Sequence, residues 1–262
     1  TLSKFNIMNV LITLAGKSKR FHSAGYKIPK FLLSIGKSTV IAEILKKFDE
    51  NDNFHFVLTK QQVKENKNIM NYLKKLRKNT FLNIINSHDK GPVYSALNVN
   101  SIKDDEDVII SYCDYLIEWD YKKFKREIYG YDGAIVSFKG FHPSSFSGTL
   151  YCYLKVKDGL IKNLREKKSF STKPHQEYAS AGLYYFKNFG VFKESGKKAL
   201  EDKKFIKSYK EIYVSLPYIY MLKKNLNILN FEAEKFISLG TPKDYEEFVN
   251  WLNFFKKNDK KN

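Results

Sequence analysis

The sequence predicts an α/β fold with a mostly parallel, mixed central sheet and a small antiparallel excursion, and three observations predict it. Through the first half, short apolar runs alternate with longer amphipathic segments, the pattern of βαβ units that build parallel sheets. After Gly133 the strand-like runs follow one another with little helix between them, which suits mixed or antiparallel pairing. The 262 residues are 43% hydrophobic and 16% aromatic, with 21 Phe and 18 Tyr, enough apolar surface for a packed core and too much for a disordered chain.

Each element has its own signal. Val10-Leu11-Ile12-Thr13-Leu14 is a buried-strand run, and a polar loop containing glycine is expected over 15–26. Val40, Ile41, Ile44, Leu45 and Phe48 fall at helical spacing, so 40–48 is predicted as a helix. Strands are expected over 54–58, 81–85 and 108–111, with helices over 61–76 and 93–99 between them. The strand over 108–111 runs into Asp114, placing an acid just past the carboxyl end of a central strand, where open α/β sheets hold ligands. Beyond it, strands are expected over 134–138, 149–156, 161–164 and 180–186; Asp158-Gly159 between two of them is a hairpin signal. Helices are expected over 188–198, 213–224 and 242–255, the last opened by Thr241 as N-cap and Pro242 at its first position. With no repeat and no linker, one domain over 8–256 is expected. Residues 1–7 read as an extension ahead of Met8, and 257–262 as a frayed tail.

Charge invites a wider reading. The 46 Lys and Arg against 28 Asp and Glu give a net +18, but the lysines lie in dispersed pairs on expected helix faces and loops, without the clustering a nucleic-acid groove needs. The run over 7–16 is broken by Asn9 and Thr13 and falls short of the about 20 residues that span a bilayer. Two cysteines, Cys113 and Cys152, form neither a disulfide framework nor a zinc pattern. The expectation is a cytoplasmic protein with neither a nucleic acid nor a membrane as partner. The aromatics over 213–220 and 251–255 are either core or a surface for a homo-oligomer.

The chemistry concentrates after the first strand. Leu14-Ala15-Gly16-Lys17-Ser18-Lys19-Arg20-Phe21, then Lys27-Ile28-Pro29-Lys30, joins a glycine turn with exposed backbone N–H groups to four cations, a combination suited to a polyphosphate. Neither the Walker loop nor the G-x-G-x-x-G fingerprint is present. The stretch L-A-G-K-S-K-R-F…Y-K-I-P-K-F-L is similar to the opening motif of the nucleotidyltransferases that make nucleotide-activated sugars, roughly L-A-G-x-G-[ST]-R-[FL]…P-K-x-L. In that family the loop wraps the triphosphate, the Arg contacts the β- and γ-phosphates, and the Lys stabilises charge on the α-phosphate and the leaving pyrophosphate. The resemblance gives these roles to Gly16, Arg20 and Lys30, with Leu14, Ala15, Lys17, Ser18 and Lys19 completing the loop. One departure is Ser18, at the family's second glycine.

Later segments extend the resemblance from Met8 to Phe255. Gly91-Pro92-Val93-Tyr94-Ser95-Ala96 resembles the segment that packs on the base and starts a helix, which makes Gly91 and Pro92 nucleotide-binding candidates. Ile110-Ser111-Tyr112-Cys113-Asp114 resembles the strand whose Asp binds Mg²⁺. Glu166-Lys167 and Ser180-Ala181-Gly182 resemble the pair of segments that line the acceptor pocket, implying acceptor contacts from Glu166, Lys167 and Gly182. The closing segment Ser238-Leu239-Gly240-Thr241-Pro242-Lys243-Asp244 carries Ser238 where many members have a second metal-binding acid, so Asp120 and Asp244 join Asp114 as metal candidates.

What the resemblance implies is a Mg²⁺-dependent nucleotidyltransferase on a Rossmann-like three-layer sandwich. It would join an NTP, preferably a pyrimidine, to a phosphorylated acceptor, by default a sugar 1-phosphate for surface-polysaccharide biosynthesis, and release pyrophosphate. Arg20, Lys30 and Asp114 are the catalytic candidates. The chemistry brings two anions together, so cations are the main requirement and no protein nucleophile is needed. Alternatives are a cytidylyltransferase acting on an alcohol, choline-like or amino-acid-derived phosphate; a glycosyltransferase, which would want the D-x-D that Asp114-Tyr115-Leu116 lacks; and a non-catalytic nucleotide-binding module, to which Ser18 and Ser238 point.

Overall fold

The computed structural model describes residues 7–140 and 148–258. Its strands are β1 (Asn9–Thr13), β2 (Ser34–Ile35), β3 (Ser38–Thr39), β4 (Asn53–Thr59), β5 (Thr80–Ile85), β6 (Val108–Ser111), β7 (Tyr115–Glu118), β8 (Gly133–Phe138), β9 (Cys152–Lys157), β10 (Leu160–Glu166), β11 (Tyr178–Phe186), β12 (Ile228–Glu232) and β13 (Lys235–Ser238). The helices are α1 (Lys19–Ser23), α2 (Val40–Leu45), α3 (Lys60–Glu65), α4 (Ile69–Leu76), α5 (Pro92–Leu97), α6 (Tyr121–Glu127), α7 (Phe189–Glu201), α8 (Lys203–Ser208), α9 (Pro217–Lys223) and α10 (Pro242–Asn258).

Nine strands form one sheet in the order β5-β4-β1-β6-β11-β8-β12-β10-β9. β5, β4, β1 and β6 pair in parallel, as do β8 and β12, while β11 runs antiparallel to β6 and β8. β9 and β10 form the expected hairpin about Asp158-Gly159, both with left-handed φ, and β9 turns back to pair with the start of β11. This is the mixed, mostly parallel sheet with its antiparallel excursion.

Burial on both faces explains why β1 reads as a continuous apolar run. Val10 and Ile12 face a layer that includes Ile41 and Ile44 of α2, while Leu11 faces Val93 and Ala96 of α5 and Phe189 and Phe192 of α7. Side chains alternate along a strand, so one strand feeds both halves of a three-layer sandwich.

Several elements depart from expectation. The loop over 15–26 contains α1, and the helix over 61–76 is broken into α3 and α4 at Asn66, which leaves the helical conformation with φ −121° and ψ 75° while its backbone and side-chain N–H groups both donate to the Gln62 carbonyl, at 3.0 and 3.1 Å. β2, β3, β7, α6, α8, β12 and β13 are not among the expected elements; β12 lies between β8 and β10 inside the sheet. α10 continues through Asn258, past the expected start of a frayed tail. Residues 1–6 and 259–262, parts of the expected extension and tail, lie outside the described residues. Met8 is buried, and its N–H donates to Asp52 at 3.0 Å. Among the described residues no helix is long and apolar enough to cross a membrane.

Candidate active site

The carboxyl ends of β1 and β6 open into a cleft of about 470 Å³. Five cations, Lys17, Lys19, Arg20, Lys30 and Lys167, line it together with five carboxylates, Asp89, Asp114, Glu166, Glu211 and Asp244. The cleft of a +18 chain is therefore formally neutral.

The loop after β1 is held from below. Gln62 closes a capping box with Thr59 at the start of α3, and its amide donates to the carbonyls of Leu14 at 2.7 Å and Gly16 at 3.4 Å. Ser18 takes the left-handed conformation, φ 48° and ψ 32°, which turns the chain into α1. Its hydroxyl accepts the Lys30 N–H at 3.4 Å, joining the loop to the segment that carries Lys30. Lys17 and Lys19 both reach Asp89, at 2.7 and 3.4 Å, and the Lys17 hydrogen bond holds that carboxyl below its ordinary range. The Arg20 guanidinium is exposed and has no ion-pair partner among the described residues.

At the foot of the cleft the Lys30 ammonium meets Asp114 at 2.6 Å, with both side chains about three-quarters covered. Burial is the largest single influence on Lys30 and would lower it, but the charge of Asp114, its hydrogen bond and the contributions of Cys113 and Glu211 together outweigh burial, so the ammonium is held above its ordinary value. The segment after β13 closes around Asp114: Leu239 donates its N–H to the Asp114 carbonyl at 2.7 Å, and a Cβ on Gly240 would lie 3.2 Å from the carboxylate. Cys113, next to this pair, is buried, and its thiol is pushed up to about 12, which agrees with a packing role rather than a nucleophilic one.

The far half of the cleft has a different texture. Glu166 ends β10 fully buried; Ser215 donates to it at 2.5 Å, and burial raises its carboxyl to about 7 despite that bond and the charge of Lys167. Lys167 follows with φ 54°, which turns its ammonium over the ring of Tyr213 at 4.2 Å and onto that hydroxyl. Gly182, at φ 83° in the bulge of β11, accepts the Tyr112 N–H at 2.9 Å, and a Cβ there would press the Tyr112 ring at 3.1 Å. Gly91, at φ 92°, starts α5 against the backbone of Ile212, whose nitrogen would lie 2.6 Å from an added Cβ.

Of the residues singled out in the sequence, Ala15, Gly16, Lys17, Ser18, Lys19, Arg20, Lys30, Gly91, Pro92, Asp114, Glu166, Lys167, Gly182 and Asp244 line this cleft. Two do not. Leu14 is 1% exposed and its side chain packs in the core, leaving only its carbonyl to anchor the loop. Asp120 caps α6 by accepting the Lys123 N–H at 2.8 Å and lies away from the cleft, so it is no partner to Asp114. Asp89, Glu211, Tyr213, Ser215 and Gln62 went unforeseen. Gln62 had a signal in Thr59-x-x-Gln62, a capping-box spacing; the others sit in loops with no local pattern.

As a metal site the cleft is sparse. Among the described residues no group of three or more His, Cys, Asp or Glu could hold an ion. Asp114, with space beside it at Gly240, fits Mg²⁺ in the manner of sites that use one carboxylate and take their other oxygens from substrate phosphates and water.

A family model described as nucleotidyl transferase matches residues 9–252. The fold is similar to that of the nucleoside-diphosphate-sugar pyrophosphorylase from Vibrio cholerae RC9, with a TM-score of 0.76 and 19% identity over 93% of this chain and 100% of that one. UDP-glucose pyrophosphorylase, solved in complex with UDP-glucose, superposes with a TM-score of 0.72 and 18% identity, covering 96% and 100%. The inositol-1-phosphate CTP transferase from T. maritima gives 0.70 and 12%, covering 94% and 95%. No curated protein sequence matches significantly.

Proposed function

Because the chain belongs to the nucleotidyl transferase family, we propose that its cleft transfers a nucleoside monophosphate from an NTP to a phosphorylated small molecule and releases pyrophosphate. The observation that carries this reading is the Lys30–Asp114 pair at the foot of a cleft with Lys17, Lys19 and Arg20 on one side and Lys167 on the other. Uridine and cytidine compounds appear in the names of two structural neighbours, which supports a pyrimidine NTP. Glucose and inositol 1-phosphate chemistry in the same names supports a sugar or polyol monophosphate as acceptor.

The reaction forms a bond from an acceptor phosphate oxygen to the α-phosphorus and breaks the bond from that phosphorus to the bridging oxygen, whose electron pair leaves with pyrophosphate. Two anions must approach, so this chain's work is to position them and offset charge. Arg20, without a competing carboxylate, meets the outer phosphates. Lys30, kept cationic by Asp114, faces the charge that builds on the leaving group. Lys167 is the cation for the acceptor phosphate. Asp114 is the residue that would hold Mg²⁺, which supplies charge neutralisation when bound.

The test is pyrophosphate release from an NTP and a phosphorylated acceptor, with and without Mg²⁺. Lys30→Ala and Asp114→Ala should each lower kcat by about 100-fold or more, the scale of losing one preorganised charge. Release unchanged in both variants would remove these residues from the reaction, and failure of every NTP to raise the melting temperature would remove the enzyme reading itself.

A further inference from the structure

We infer that the C-terminal end of α10 is a docking face for an anionic membrane surface, formed by Trp251, Phe254 and Phe255 with the lysines that follow them. The inference is independent of the transferase reading above. It departs from the expectation of no membrane partner, which rested on the lack of a spanning run; contact here is with a surface, and no helix among the described residues is long and apolar enough to cross a membrane.

The aromatic stripe comes first. α10 turns one face to the body of the protein: Tyr245, Phe248 and Leu252 pack against the core layer that includes α2, and Tyr245 donates to the Ser34 carbonyl at 2.8 Å. Trp251, Phe254 and Phe255, at i, i+3 and i+4, form a second stripe and are 55%, 54% and 59% exposed. Their rings pack on one another, with centroids 5.6–5.9 Å apart, and on no other ring among the described residues. Single exposed apolar side chains are ordinary, but three aromatics joined in one exposed patch mark a contact surface.

Charge decides the occupant. From 248 to 258 the helix carries no acid, and from Lys256 the sequence reads Lys-Lys-Asn-Asp-Lys-Lys, four lysines to one acid. Glu247, one turn before Trp251, bounds the patch on its other side. Lys256 is exposed and has no ion-pair partner among the described residues; its ammonium would lie 2.8 Å from a Cβ on Gly36, at the β2–β3 turn that also carries Lys37. Because the cleft is formally neutral, the +18 of the chain belongs to the rest of its surface and favours approach to an anionic one.

An anionic bilayer answers both halves of this pattern. Trp and Phe rings enter the headgroup boundary while lysines beside them meet lipid phosphates, the division of labour seen in helices that lie on membranes. A second copy of the chain fits less well. Three half-exposed aromatics offer about 300 Å² of contact, against about 800 Å² per partner in a stable protein interface, and symmetric pairing would bring two lysine runs together. The stripe also stands clear of the cleft. Asp244, in the first turn of α10, lines the cleft, and Trp251 lies about 10 Å farther along the helix axis.

The test uses the whole chain and vesicles of phosphatidylcholine, alone or mixed in equal parts with phosphatidylglycerol. Trp251 supplies the reporter, since the other tryptophan, Trp119, is 9% exposed and packed in the core. With the mixed vesicles the chain should co-sediment, its emission should move to the blue and acrylamide quenching should fall; phosphatidylcholine alone, or 1 M salt (about 3 Å screening length), should weaken binding by about tenfold or more. Phe254→Ser with Phe255→Ser should lower partition into the mixed vesicles by about tenfold, the scale of losing two partly buried rings. Lys256→Gln with Lys257→Gln, which leaves the stripe intact, should do the same. Native chain that neither sediments with the mixed vesicles nor shifts its emission would overturn the inference. So would binding undiminished in the Phe254→Ser, Phe255→Ser chain, which would assign it to charge spread over the whole surface. A native dimer in sedimentation equilibrium that this variant lacks, without vesicle binding, would give the face to a second copy and overturn it too. Pyrophosphate release, assayed without vesicles, should be equal in native and variant chains, so either reading can fail while the other stands.

Discussion

The sharpest physical prediction concerns Glu166, a carboxyl that folding removes from water. Burial raises it from an ordinary value near 4.5 to about 7, and neither the Ser215 hydrogen bond nor Lys167 restores it. Cys152, Tyr184 and Tyr112 lie close enough to feel its charge and supply no cation. At about 1.4 kcal/mol per pH unit, this displacement corresponds to about 3 kcal/mol. The sign follows from proton counting. Between pH 4.5 and 7 the folded chain keeps the proton and the unfolded chain releases it, so stability falls as pH rises through that window and this contribution levels off above it. Glu166→Gln keeps an oxygen for Ser215 and never ionises. Urea unfolding of both proteins from pH 5 to pH 8 should show the variant gaining on the native chain as pH rises, by about 2–3 kcal/mol at the upper end. Parallel pH profiles would refute the reasoning, as would a variant that loses ground at high pH, because either result means Glu166 ionises in the folded chain at little cost.

Two further outcomes concern the loop after β1. With φ at 48°, Ser18 occupies a conformation that glycine adopts freely, so Ser18→Gly should be more stable than Ser18→Ala by about 1 kcal/mol, measured as a shift in denaturant midpoint. Asp89 holds Lys17 and Lys19 that a triphosphate would claim, so Asp89→Asn should lower the NTP KM by about two- to fivefold at low ionic strength, and the gain should shrink in 0.5 M salt (about 4 Å screening length).

Most of the sheet was legible because its strands bury both faces. The runs at β1, β4 and β6 contain apolar residues that no exposed segment would retain, and the Asp-Gly between β9 and β10 specifies a turn by local sterics. β12 escaped notice because Ile228, Leu229 and Phe231 make a short run whose role depends on pairing with β8, far off in sequence. Within the site, motif residues on either side of β1 and β6 could be placed, since tight turns and strand ends constrain which side chains fit. Asp120 misled because an acid near a strand end has two uses, and here it caps α6. Asp89, Glu211 and Tyr213 sit on irregular backbone held by long-range contacts, such as the Lys90–Ile212 hydrogen bond, that no short window contains.

The packing of Gly91 on Ile212 bears on how such a protein can be re-engineered. The turn that opens α5 and the loop that carries Glu211 and Tyr213 into the same cleft press backbone against backbone, with no space for a Cβ between them. A graft of the loop over 209–216 would arrive with its own path at 212 and push directly on the turn at Gly91. The transplantable unit is therefore the pair of segments 88–97 and 209–216 together, and a library that varies one while freezing the other would be sampling misfits.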